Sequence, residues 1–143
     1  MNEAKHSIAI GFYLRGSKLK PDAISKSLGI SPDRSQYSGE HHGTPTGRTY
    51  LRNIGLWALE AKIDPDSNNL SDYIDKLLSK IPFDHKKISE LDGVEEACID
   101  IFLAKTSDTD GGGTCEFEIR PDQIAEFSRI GVPVQFTITA VNP

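Results

Sequence analysis

Cysteine is scarce in this sequence: only Cys98 and Cys115 occur, with no CxxC pair. Count and spacing therefore exclude a zinc knuckle and a dithiol redox motif. Long apolar runs are missing too. The stretch 8–14 falls far short of the ~20 residues a membrane span requires, and residues 1–5 are polar with no signal region behind them. The chain is on these grounds expected to be cytoplasmic, without membrane contact. Positive charge is also short, with 16 Lys and Arg against 21 Asp and Glu and a formal net charge of −5. Nucleic acid is excluded as a general partner, because binding it needs clustered cations that displace counterions from phosphates.

What is present is enough apolar residue, suitably spaced, for a packed core. A chain of 143 residues with 37% hydrophobic and 26% charged residues can bury roughly 70% of the surface its unfolded form exposes. Residues 1–143 are expected to form a single domain that needs no disulfide. Ile8, Ile10, Phe12 and Leu14 alternate as one face of a strand. Pro21 and Asp22 suit the first turn of a helix that carries Ile24 and Leu28 inward, and Gly29 stops it. Trp57, Leu59, Ala61 and Ile63 share one face of a strand over 54–63. The strongest helical signal is Leu70, Tyr73, Ile74, Leu77, Leu78 and Ile81, preceded by Asn69 as N-cap and ended by Pro82.

Further on, a short helical piece over 85–91 leads to a hairpin that pairs 97–105 with 114–119 about the glycine-rich 106–113 turn. That register would put Cys115 near Ala104, roughly six residues from Cys98 and beyond the ~7 Å reach of a disulfide, so two unpaired thiols are expected. A helix over 121–130 and a strand over 134–141 finish the chain, the strand turning Val134, Phe136, Ile138 and Ala140 inward and leaving Gln135, Thr137 and Thr139 wet. Phe12, Trp57, Leu77, Phe117 and Phe136 are expected in the core. The fold class is α+β, a mostly antiparallel sheet with its helices mainly on one face. Lys20-Pro21-Asp22-Ala23-Ile24 echoes Arg120-Pro121-Asp122-Gln123-Ile124. The echo admits a duplicated strand-helix unit, ferredoxin-like or split βαβ, and equally two independent uses of the same capping chemistry.

Motifs that carry chemistry are thin. Glu40-His41-His42 offers metal-ligand types, but neighbouring residues of an extended chain point oppositely and no third and fourth ligand follow. Asp108-Thr109-Asp110-Gly111 begins like a calcium loop, yet its glycine comes too early and no closing glutamate follows. The triple glycine lacks a Walker ending, and no Gly-x-Ser-x-Gly elbow occurs. No catalytic residue, metal ligand or cofactor is therefore assigned. The region 33–53 differs from the rest: it is rich in Gly, Ser, Thr, Pro and His, has no sustained period, and sets three arginines against two carboxylates in an otherwise acidic chain. Residues 35–38 fit a short edge strand; the remainder reads as one long loop and as a recognition surface. Its candidate binding residues are Glu40, His41, His42, Arg48, Tyr50 and Arg52.

Phe12, Pro21-Asp22-Ala23-Ile24, Leu28-Gly29-Ile30-Ser31-Pro32, Gly39-Glu40, Leu56-Trp57, Leu77-Leu78, Pro121-Asp122-Gln123-Ile124 and Ile130-Gly131, taken in order, resemble the bacterial family called domain of unknown function 4279. The resemblance covers nearly the whole chain and implies a small α+β protein with no catalytic residues to carry over. The expected role is binding another protein, as an interaction or toxin-neutralising module; the alternative is a small-molecule-binding domain or an enzyme of unknown reaction.

Overall fold

Residues 6–39, 41–43, 49–51, 54–63, 67–107 and 112–141 are described by the structure, a computed structural model. The chain runs β1 (His6–Gly16), α1 (Pro21–Leu28), β2 (Arg34–Gln36), β3 (His41–Gly43), β4 (Thr49–Leu51), β5 (Gly55–Ala61), α2 (Leu70–Ser79), α3 (His85–Ser89), β6 (Glu96–Thr106), α4 (Pro121–Ile130) and β7 (Val134–Val141). The helix ends follow capping chemistry. Pro21 and Pro121 open α1 and α4, where a proline sacrifices no hydrogen bond. The Asn69 side chain accepts the Ser71 N–H at 3.0 Å to start α2. Gly29 and Gly131 close α1 and α4 in the left-handed conformation, each at φ 71°.

The main sheet has the order β2-β5-β1-β6-β7, antiparallel except for the parallel pair β6 and β7. Because β1 lies between β5 and β6, the unit β5-α2-β6 is a split βαβ, while β6-α4-β7 closes directly. The fold is thus α+β with a mostly antiparallel sheet. The two echoed helices share their caps, and each leads into a strand parallel to the one before it: β1-α1 into β2 with β5 lying between, β6-α4 into β7 directly.

Register assembles the core. Leu14 stands opposite Trp57, Phe12 between Leu59 and Ile99, and Ile10 between Ala61 and Ile101. This face packs against Ile24 of α1, Leu70, Tyr73, Ile74 and Leu77 of α2, Ile88 of α3, and Phe127 and Ile130 of α4. Removing side chains of this kind from water contributes about 1.5–3 kcal/mol each. Trp57 is fully buried and its indole N–H donates to Ser25 Oγ at 3.0 Å, so its polar edge is satisfied as well. No helix among the described residues is long and apolar enough to cross a membrane.

Three expectations are corrected. The 97–105 strand does not pair with 114–119: β6 has β1 on one edge and β7 on the other, and 112–120 is irregular connection. A parallel strand needs such a crossover, and this one runs by the start of α2, where Ser71 Oγ donates to the Glu118 carbonyl at 3.2 Å. Cys98 and Cys115 are both free, as expected, though the supposed hairpin is not the reason. Asp108, Thr109, Asp110 and Gly111, expected at its turn, lie outside the described residues. The short edge strand expected at 35–38 is present as β2 over 34–36, but the remainder of 33–53 is not one loop, since it holds the β3–β4 hairpin. Phe136, expected in the core, is exposed, and Phe117 is only partly buried.

Candidate interaction surface

Gln123 sets where α4 sits. Its side chain is fully buried, and its amide donates to the Ser71 carbonyl at 3.1 Å and to Asp75 Oδ1 at 2.9 Å while accepting the Arg120 N–H at 3.0 Å. Beside it the Arg120 guanidinium bridges Asp75 at 2.9 Å and Asp122 at 3.0 Å. Hydrogen bonds to Asp122 and Asp75 push Arg120 further up, and Arg120 in turn lowers Asp122. At the other end Arg129 donates to the carbonyls of Phe83 at 2.8 Å and Ile81 at 3.0 Å. These bonds tie α4 to α2 and to the segment leaving it.

The consequence falls on β7. Phe136 and Ile138 register against the buried Ile101 and Leu103, so they lie on the core face of the sheet. They are nevertheless 48% and 67% exposed, because no helix of the described chain extends over them. Val141 and, on α4, Ile124 are exposed as well. The outer edge of β7 is equally bare among the described residues. The carbonyls of Pro133 and Val141 accept from Ile99 and Ser107 of the β6 side, both at 2.8 Å. Odd-numbered residues therefore face β6, and Val134, Phe136, Ile138 and Ala140 turn their N–H and C=O groups outward. The strand VQFTITAV contains no charge and no proline, the usual means of keeping an edge from pairing with another chain.

The opposite face of the sheet carries a cluster of paired polar side chains around Tyr13. A Cβ at Gly11 would stand 2.6 Å from the Tyr13 hydroxyl oxygen, so the ring lies down where residue 11 has no side chain. Arg15 and Arg34 cover that ring at 5.0 and 5.7 Å from its centroid. Arg34 reaches Glu60 at 3.4 Å, and Arg15 reaches Glu96 at 3.8 Å and donates to Cys98 Sγ at 3.6 Å. Burial, then the Glu60 charge, raises the Tyr13 phenol, and burial raises the Cys98 thiol. Both hold their protons at neutral pH, which suits structure better than nucleophilic attack.

Farther along β5, a recess of 180 Å³ is lined by Asp33, Glu60, Lys62, Lys76 and Lys80. Lys80 donates to Asp33 Oδ2 at 2.9 Å and to the Glu60 carbonyl at 2.5 Å, and Lys76 donates to the Lys62 carbonyl. Burial pulls the Asp33 carboxyl upward, but the Glu60 N–H and the Lys80 ammonium outweigh it and leave it below the ordinary value. Asp33 also donates its own N–H to the Ala58 carbonyl at 2.8 Å, fastening the chain to β5 just before β2.

Of the residues singled out in the sequence, Glu40, Arg48 and Arg52 lie outside the described residues. His41 and His42 belong to β3 and Tyr50 to β4, with His42 registered against Tyr50 and His41 against Leu51. This hairpin forms a two-stranded sheet of its own, between β2 and β5 in sequence. Sequence reasoning missed Phe136 and Ile138 as surface residues. Their alternation was visible, but their exposure depends on strand order and on the bonds that hold α4 elsewhere.

No curated protein and no solved structure gives a significant match to the chain. The family model described as Domain of unknown function (DUF4279) matches residues 6–141, from the start of β1 to the end of β7, and the chain belongs to that family.

Proposed function

We propose that the chain is a protein-interaction module, and that β7 with Phe136 and Ile138 is its main contact surface. The observation that carries this reading is an unpaired, uncharged edge strand whose apolar side chains lie bare on the core face. An added strand would take up the free backbone groups while its side chains covered Phe136 and Ile138. A toxin-neutralising role is the narrower form of the same reading. The region 33–53, with Glu40, His41, His42, Arg48, Tyr50 and Arg52, is proposed as a second contact surface; the separate two-stranded pairing of β3 and β4 favours it.

The other class of function, binding of a small anionic molecule, is favoured by one observation, the three lysines around the recess at Asp33 and Glu60. Affinity capture from the source cell decides between them. Wild-type chain, Phe136→Glu and the Arg48→Ala/Arg52→Ala double variant serve as baits, each first checked for an unchanged thermal midpoint. Wild type should retain a protein that Phe136→Glu loses, and the double variant should retain less of it. Identical capture by wild type and Phe136→Glu would remove β7 from consideration.

A further inference from the structure

We infer that the occupant of β7 is a second copy of this chain, joined by antiparallel pairing of β7 with itself about a two-fold axis at Thr137. The inference rests on the interaction reading above and names its partner. The pattern of the strand is what selects a copy of itself. With Thr137 opposite Thr137 of the copy, Phe136 meets Ile138, Ile138 meets Phe136, Gln135 meets Thr139, and Val134 meets Ala140. Aromatic against β-branched and threonine against threonine are favourable cross-strand pairs. No like charges are opposed, because the strand has none.

The backbone agrees with this register. Val134, Phe136, Ile138 and Ala140 are the residues whose N–H and C=O groups face outward. They become the hydrogen-bonded pairs of the antiparallel ladder, and Thr137 falls at the non-bonded position on the axis. Every free group along the edge then has a partner. Faces match as well, since opposed residues of one antiparallel pair lie on the same side of the joined sheet. Phe136 and Ile138 of both copies thereby form one apolar strip on the side that carries the helices. The order β2-β5-β1-β6-β7 leaves the two β2 strands at the distant ends of the joined sheet. Such a dimer presents the second contact surface twice, and two linked contacts gain avidity on a partner that can reach both.

The axis supplies its own test, because residue 137 faces itself. Thr137 is exposed and on the face away from the helices, so Thr137→Lys and Thr137→Glu should each fold. Mass in solution is measured by light scattering after size exclusion for wild type, for each variant and for their equimolar mixture. Wild type should be dimeric, each variant monomeric through like-charge repulsion, and the mixture dimeric again as lysine meets glutamate across the axis. A wild-type monomer, or dimers that persist in both variants, would overturn the inference. Two results separate it from the reading on which it rests. Wild type that is monomeric yet captures a different protein through Phe136 overturns the dimer and leaves the module standing. Wild type that is monomeric and captures nothing through Phe136 overturns both.

Discussion

β5 and β7 carry the same pattern and meet opposite fates. In β5, Trp57, Leu59 and Ala61 alternate with Leu56, Ala58 and Glu60, and every residue except Glu60 is buried. In β7, Val134, Phe136, Ile138 and Ala140 alternate with Gln135, Thr137 and Thr139, and every residue except the half-buried Val134 is exposed. Alternation decides which residues share a face; it does not decide whether anything lies on that face. β5 has neighbours on both edges, Trp57 locked to Ser25 of α1, and α2 above it. β7 ends the sheet, and the helix that leads into it is fastened to α2 instead.

The largest expected effect tests the covered side. Replacing Trp57 by Ala should cost about 3–5 kcal/mol of unfolding free energy, since the cavity would open beneath a fully buried ring and Ser25 would lose its donor. Urea denaturation reads the change directly. A loss under about 1 kcal/mol would mean that β5 is no better covered than β7, and the contrast would fail.

A smaller effect tests the fastening of α4. Gln123→Ala should cost about 1–3 kcal/mol, the usual penalty for stranding buried hydrogen-bonding groups, here the Ser71 carbonyl and the Arg120 N–H. Amide exchange should quicken in α4 more than in α2 if the glutamine is what holds the helix in place. Equal quickening in both helices would assign the anchor to the general core, and the bareness of β7 would need another cause.

How much of this was legible in the sequence follows from which signals are local. The helix at Leu70 was readable because its apolar stripe and its Asn69 cap lie within a few turns, and β1 and β5 because they alternate over enough residues to define a face. β3 and β4 were not, since three-residue strands are too short to carry a period. The partner of β6 was misread for a different reason. Residues 114–119 and 134–141 both offer alternating apolar positions, and periodicity cannot say which of two such segments crosses over to pair. The same limit hid the candidate site. Residues 33–53 stood out by composition, whereas Phe136 and Ile138 look like core until the strand order puts them at the margin.

The smallest expected effect on stability is the sharpest test of the comparison, and it comes from Ile138→Thr. Ile138 is 67% exposed, and threonine keeps the β-branched shape that suits a strand. In a dilute, monomeric chain the substitution should change unfolding free energy by no more than about 0.5 kcal/mol, the usual range for a surface position. Were the isoleucine covered by its own chain, the loss of buried apolar surface would show at every concentration. If a second copy covers it, the effect depends on concentration instead, because association stabilises the folded state by mass action. Thermal midpoints of wild type and variant should then coincide at low protein concentration and separate as it rises, wild type climbing the faster. A gap of constant size would place the cover within the chain itself, and β7 would have to be read as a second β5.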